Sequence, residues 1–206
     1  MKKIGIIDYG MGNLHSVENA FRYIGADVFI SDDKSELSKA DGLILPGVGA
    51  FPDASERLSK AEFPEFIRKE TEKKPLLGIC LGMQLLFEKS YEFRECEGLG
   101  FIKGEVIRLK AGGNDKRYKI PHIGYNLLTA VNKSPLTEGI DDGTCFYFVH
   151  SYMGVCKDRG QLISVTEYGE EVTAIVGSGN VFGTQFHPEK SGEPGLKLLS
   201  NFKNML

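Results

Sequence analysis

Long apolar runs are missing from this 206-residue sequence, and none approaches the roughly 20 residues that a membrane-spanning helix needs. An excess of either charge is missing too. The 25 Lys and Arg stand against 28 Asp and Glu, a formal net charge of −3, so neither a nucleic-acid surface nor an acidic tail is indicated. Cysteine is sparse: Cys80, Cys96, Cys145 and Cys156 show neither close pairing nor metal-ligand spacing. Reduced thiols and a cytoplasmic protein are expected. The first apolar stretch stops at Asp8 with no small-residue cleavage site after it, so it reads as a strand and not a signal peptide. No internal repeat, low-complexity tract or linker is visible, and a single domain over residues 1–206 is expected.

What is present in the first half is an alternation of strand and helix. Lys3–Asp8, Asp27–Ile30, Gly42–Leu45 and Leu76–Ile79 are short apolar runs suited to a sheet covered on both faces. Leu14, Val17, Ala20, Phe21 and Ile24 recur at helical spacing and Gly25 fits a helix stop. Further helices are expected at Ala54–Ser59, Glu62–Glu72 and Gln84–Glu88. Such alternation predicts an α/β fold with an open, mostly parallel sheet flanked by helices. In the second half, Phe101–Leu109, Tyr118–Ile120, Asn126–Ala130, Cys145–Val149, Leu162–Glu167, Val172–Val176 and Val181–Gln185 read as strands of antiparallel hairpins, before a closing helix at Glu193–Asn204. Residues 111–115 are the best candidate for a mobile loop.

Three segments carry chemistry. In Gly78-Ile79-Cys80-Leu81-Gly82 a cysteine stands between two glycines where a buried strand turns into a helix, the thiol form of a nucleophile elbow. A helix N-terminus facing the sulfur would favour thiolate; a buried structural cysteine is the bland alternative. Such a nucleophile needs a base and a group that orients the base. Of His15, His122, His150 and His187, the last stands out, because Pro188 fixes the backbone between it and Glu189. A surface strand end is the alternative there, and His150 reads as a hydrogen-bonded core histidine. Pro46-Gly47-Val48-Gly49 ends a predicted parallel strand, where ligands of open α/β sheets bind. Main-chain N–H groups of Gly47, Val48 and Gly49, with that of Leu81, could form an oxyanion hole. The Gly10-Met11-Gly12 turn lacks both the full G-x-G-x-x-G and the P-loop Lys, so no nucleotide is assigned to it.

Taken in order, Pro46-Gly47-Val48-Gly49, Gly78–Gln84 and His187-Pro188-Glu189 resemble the class I (triad) glutamine amidotransferases. The resemblance implies a flavodoxin-like sheet, with Cys80 as nucleophile, His187 as general base and acid and Glu189 as its partner. It also implies glutamine held by Gln84 and by main chain near Gly49, Ser151 and Tyr152, with no metal or organic cofactor. Within that family, Ile7–Leu14, Pro121–Asn126, Phe148–Tyr152 and His187–Ser191 resemble the glutaminase subunits of imidazole glycerol phosphate synthase. That implies a heterodimer with a (β/α)8-barrel cyclase, which takes up the ammonia and makes imidazole glycerol phosphate and AICAR in histidine biosynthesis. Tyr125, Asn126 and Lys190 would lie at the partner interface. Tyr125 stands where this group usually has Trp. A paralogue serving sugar amidination, or a partner-independent γ-glutamyl cysteine hydrolase, therefore stays open.

Overall fold

A computed structural model describes residues 2–110 and 117–206; the loop expected at 111–115 lies outside the described residues. Fourteen strands are present among them. In chain order they are β1 (Lys3–Ile7), β2 (Asp27–Ser31), β3 (Gly42–Leu45), β4 (Leu76–Ile79), β5 (Phe87–Ser90), β6 (Cys96–Glu97) and β7 (Ile102–Arg108). There follow β8 (His122–Leu127), β9 (Thr129–Ala130), β10 (Cys145–His150), β11 (Tyr152–Cys156), β12 (Leu162–Glu167), β13 (Glu171–Ser178) and β14 (Val181–Thr184). The helices are α1 (Leu14–Tyr23), α2 (Lys34–Leu37), α3 (Phe51–Lys60), α4 (Phe63–Thr71), α5 (Leu81–Gln84) and α6 (Gly192–Asn204).

The main sheet has eight strands in the order β2-β1-β3-β4-β14-β13-β12-β9. From β2 to β14 neighbouring strands run parallel, and from β14 to β9 they run antiparallel. The mostly parallel open sheet with antiparallel hairpins is therefore the observed architecture. β4 and β14 lie side by side with Ile79 opposite Thr184. Two sequence-distant strands thus deliver their C-terminal ends to one place, beyond which ligands bind in such sheets.

Both sheet faces are covered. On one, Ile4, Ile6, Leu77 and Phe182 pack against Val17 and Phe21 of α1, Leu198 and Phe202 of α6, and Phe146 and Phe148 of β10. On the other, Leu43, Leu45 and Leu76 pack against Phe51 and Leu58 of α3, Phe63 and Ile67 of α4, and Phe87 and Val106. Phe21 and Phe202 meet edge to face at 6.3 Å; burying each such ring contributes about 1.5–3 kcal/mol. Gly25 ends α1 at φ +70°, a left-handed position that glycine adopts without strain. Among the described residues no helix is long and apolar enough to cross a membrane.

Two expectations are corrected and one strand is added. Gln84–Glu88 is not a helix: α5 ends at Gln84, and Phe87 and Glu88 enter β5, whose Phe87 and Ser90 are buried. Tyr118–Ile120 is not a strand; pairing starts at His122, which β8 aligns with His150 of β10. Tyr152–Cys156, which no apolar alternation announces, forms β11 and pairs with β7.

Candidate active site

The elbow follows from glycine at two positions. A Cβ on Gly82 would lie 1.8 Å from the Leu45 carbonyl oxygen, and one on Gly78 would lie 2.6 Å from the Gly82 oxygen. With no side chain at either, the chain reverses directly over β3. Cys80 takes φ +56° and ψ −110°, a conformation rare for a residue with a Cβ, costing about 1–3 kcal/mol. Its N–H donates to the Thr184 carbonyl at 2.7 Å, so β14 pins the strained residue. The helix expected to polarise the sulfur is a single turn, and a macrodipole that short is weak. The imidazole is the stronger influence.

His187 follows β14 and is held from several sides. Its N–H donates to the Tyr147 carbonyl at 3.0 Å, and its carbonyl accepts from Ser191 Oγ at 2.7 Å. Pro188–Lys190 is a 3-10 turn and not an extended segment, and that turn folds Glu189 back onto the ring. Nδ1 donates to Glu189 Oε1 at 2.8 Å, with side-chain exposures of only 3% and 1% for the pair. The other ring nitrogen is left for Cys80, the strongest influence on the ring's proton besides Glu189 and burial. Burial pulls the imidazole pKa down, but the hydrogen bonds to Cys80 and Glu189, and their negative charge, outweigh it and push the value up to about 10. His187 is thus built to hold a proton beside sulfur.

Cys80 opens into a cavity of about 220 Å³ lined also by Gly49, Leu81, Gln84, Glu92, Val149, His150, Ser151 and Tyr152. That is smaller than the clefts that take drug-sized ligands and suits a free amino acid. A larger cleft of about 310 Å³ between α3, α4 and β6 contains none of Cys80, His187 and Glu189, so size alone does not locate the chemistry.

The remaining expected residues fall into different places. Gly49, at φ +99°, and Leu81 reach the cavity, whereas Gly47 is buried against Leu81, Gly82 and Tyr9, and Val48 is exposed. Tyr9 donates to the Pro46 carbonyl at 2.8 Å and fixes that loop. Burial, and then the nearby Cys80, raise its phenol pKa far above the ordinary value. Ser151 and Tyr152 line the cavity. Gln84 lines it too, but its amide is engaged internally, donating to the Tyr152 carbonyl at 2.9 Å and to Gln185 Oε1 at 3.0 Å. Tyr125 and Lys190 are exposed and joined, the phenol donating to the Lys190 carbonyl at 3.0 Å. Asn126 is half-buried and donates to the Glu167 carbonyl.

Sequence reasoning missed two residues. Gln185 places its amide nitrogen 3.8 Å from Cys80 Sγ; only its position two before His187 hinted at this. Glu92 projects a carboxylate into the cavity, where it accepts from the Phe51 N–H at 2.7 Å. Burial raises its pKa against that hydrogen bond, with Asp53 adding to the rise. Nothing in the local sequence marks it. Among the described residues no group of three or more His, Cys, Asp or Glu is arranged to hold a metal ion.

Comparison with known proteins places this geometry. The family model "Glutamine amidotransferase class-I" matches residues 5–205. Imidazole glycerol phosphate synthase subunit HisH of Caldanaerobacter subterraneus subsp. tengcongensis is 53% identical over 204 residues, covering 98% of each chain. The protein of the same name from Bacillus cereus is 50% identical, covering 98% of this chain and 95% of its own. Among solved structures, PurLQS from Thermotoga maritima superposes with a TM-score of 0.77 at 23% identity over 98% of both chains. A glutamine amidotransferase from the same organism gives 0.62 at 20%, over 98% of this chain and 83% of that one. At such identities the structures speak for the fold alone.

Proposed function

Since this chain belongs to the class-I glutamine amidotransferase family, we propose that it is the glutaminase subunit of an imidazole glycerol phosphate synthase, with residues 1–206 forming one amidotransferase domain. The observation that carries the reading is that Cys80 lines a cavity sized for an amino acid while His187, itself held by Glu189, lies close enough to the sulfur to have its proton affinity set by it. Cys80 Sγ attacks the side-chain amide carbon of glutamine. The Leu81 N–H, with main chain of the Gly47–Gly49 loop, receives the oxyanion. His187 gives its proton to the departing ammonia, then takes one from the water that cleaves the thioester to release glutamate. These steps require no metal or organic cofactor. Glu92, half-buried at the cavity wall, offers its carboxyl group to the substrate's α-ammonium group. Gln84 shapes the wall by holding the Tyr152 carbonyl and Gln185.

The ammonia acceptor is a (β/α)8-barrel cyclase that makes imidazole glycerol phosphate and AICAR in histidine biosynthesis, in the cytoplasm. Its docking surface is the ribbon of β8 and β10. Ile123, Tyr125 and Leu127 are 57%, 60% and 57% exposed on its outer side, and Tyr125 packs on Tyr147 with ring centroids 5.5 Å apart. Asn126 and Lys190 flank that row. An apolar row of this kind on a soluble surface marks an interface.

The test is reconstitution. Glutamate release should be slow for the isolated chain and rise steeply when the cyclase and its nucleotide substrate are added, and Cys80→Ala should abolish release while still binding the cyclase. Full turnover in isolation would favour a partner-independent hydrolase, and release by the Ala variant would remove Cys80 as nucleophile.

A further inference from the structure

A buried histidine pair lies at the end of the docking ribbon next to the glutamine pocket. His122 Nδ1 is 3.0 Å from His150 Nε2, and His122 Nε2 is 2.9 Å from Asn126 Oδ1. His150 Nδ1 is 2.8 Å from the Tyr152 carbonyl oxygen, and Asn126 Nδ2 is 3.0 Å from that of Glu167. Matching donors to acceptors settles most of the protons. The Tyr152 oxygen only accepts, so His150 Nδ1 carries hydrogen. Burial, followed by the neighbouring His122, pushes the His150 pKa down to about 3, so that ring is neutral and its Nε2 is bare. His122 Nδ1 must then donate to it. The Glu167 oxygen only accepts, so Asn126 turns its amino group that way and its oxygen toward His122.

One proton is then left over or lacking. If His122 is neutral, its bare Nε2 confronts the Asn126 oxygen, two lone pairs at 2.9 Å. Turning the Asn126 amide over merely moves the conflict to the Glu167 oxygen. If His122 holds a second proton, every link is a donor meeting an acceptor. The surroundings accommodate that charge. Tyr168 and Phe148 lie parallel to the His122 ring on centroids 3.8 and 4.9 Å away, the stacked geometry in which aromatic faces attract a cation. Burial opposes the charge and lowers the His122 pKa, against the Asn126 hydrogen bond. The groups facing the pair are His187 beyond His150, the Tyr168 phenol, the Glu167 carbonyl and, over the Tyr118 ring that meets Tyr168 edge to face, the Arg117 guanidinium.

We propose that His122 is a positioning residue whose uptake of a second ring proton completes a hydrogen-bonded chain from the docking ribbon to the pocket wall, so that glutamine affinity follows the protonation of His122. The chain ends on the Tyr152 carbonyl, which also receives the Gln84 amide. A broken link loosens the Val149–Tyr152 wall, at whose other end the Val149 carbonyl lies 3.9 Å from Cys80 Sγ. The inference about affinity rests on the glutaminase reading; the proton count does not.

The test uses the full chain with nitrogen-labelled histidine, titrated between about pH 5 and 8. His150 should keep one ring proton throughout while His122 passes from one to two as pH falls, and KM for glutamine should drop over the same interval. Asn126→Asp places a carboxylate against Nε2 and should raise the His122 midpoint by about one unit or more, carrying the KM transition with it. Tyr168→Leu removes one aromatic face and should lower both. A His122 ring that keeps a single proton over the whole range would overturn the proposal, as would a KM profile that stays in place while the midpoint moves. A chain with no glutamine turnover at all would overturn the glutaminase reading instead, and the ring titration, which needs no turnover, would still decide the proton.

Discussion

His187 and His150 are both buried and stand close enough to feel each other's charge, yet the fold treats their protons in opposite ways. The His187 ring lies between Glu189 and a sulfur, two groups that gain from its positive charge, and its pKa is pushed up to about 10. The His150 ring meets a carbonyl and another imidazole, neither of which offsets the cost of burying a cation, and its pKa is pushed down to about 3. Burial is common to the two sites. What differs is the sign of the groups brought within reach, and that sign separates an imidazole held as a cation from one held neutral.

The comparison is broken most severely by Glu189→Gln, which strips the negative charge from the His187 site. With the ring no longer oriented or stabilised as a cation, glutaminase kcat in the reconstituted complex should fall by about 10²–10⁴. A loss below tenfold would show that Glu189 is only a packing group. Stability against pH sharpens the contrast. A raised pKa means the folded chain binds the His187 proton more tightly than the unfolded chain does. Its contribution is complete below pH 6.5 and drains away as pH climbs toward about 10. A lowered pKa means the unfolded chain binds the His150 proton more tightly, so stability falls as pH drops from 6.5 toward about 3. Denaturant unfolding of His187→Asn should show a flatter alkaline slope than the parent chain, and His150→Asn a flatter acid slope. Equal changes on one side would refute the assignment. The smallest expected effect comes from Gln185→Leu, which removes the amide touching both Cys80 and Gln84. A lost hydrogen bond of about 1–1.5 kcal/mol corresponds to roughly tenfold in kcat/KM, read from glutamate release.

The parts of the fold that sequence revealed are those where a single local rule decides. Gly42–Leu45 and Leu76–Ile79 are found with their observed ends because strands buried on both faces are continuous apolar runs. Gly78 and Gly82 marked the elbow because a Cβ on either would strike a carbonyl oxygen, that of Gly82 and that of Leu45 respectively, and His187-Pro188-Glu189 marked an imidazole and a carboxylate that the structure joins at 2.8 Å. Rules that compete left errors. Leu85-Leu86-Phe87 reads equally as helix or strand, and only pairing of β5 with β7 decides it. Glu92 and Gln185 acquire their positions from segments far along the chain, so no neighbour in sequence announces them. Gln84 was assigned to the site by resemblance, and the structure adds that its amide is engaged by Tyr152 and Gln185.

The hydrogen bond from the Cys80 N–H to the Thr184 carbonyl extends the β4–β14 pairing up to the reactive residue. Cys80 therefore hangs on the central strand pair, and His187 follows three residues beyond the accepting Thr184, tied by its own N–H to Tyr147. Loss of the β4–β14 pairing would release both, so loss of glutamine cleavage should coincide with global melting and serve as a reporter of it.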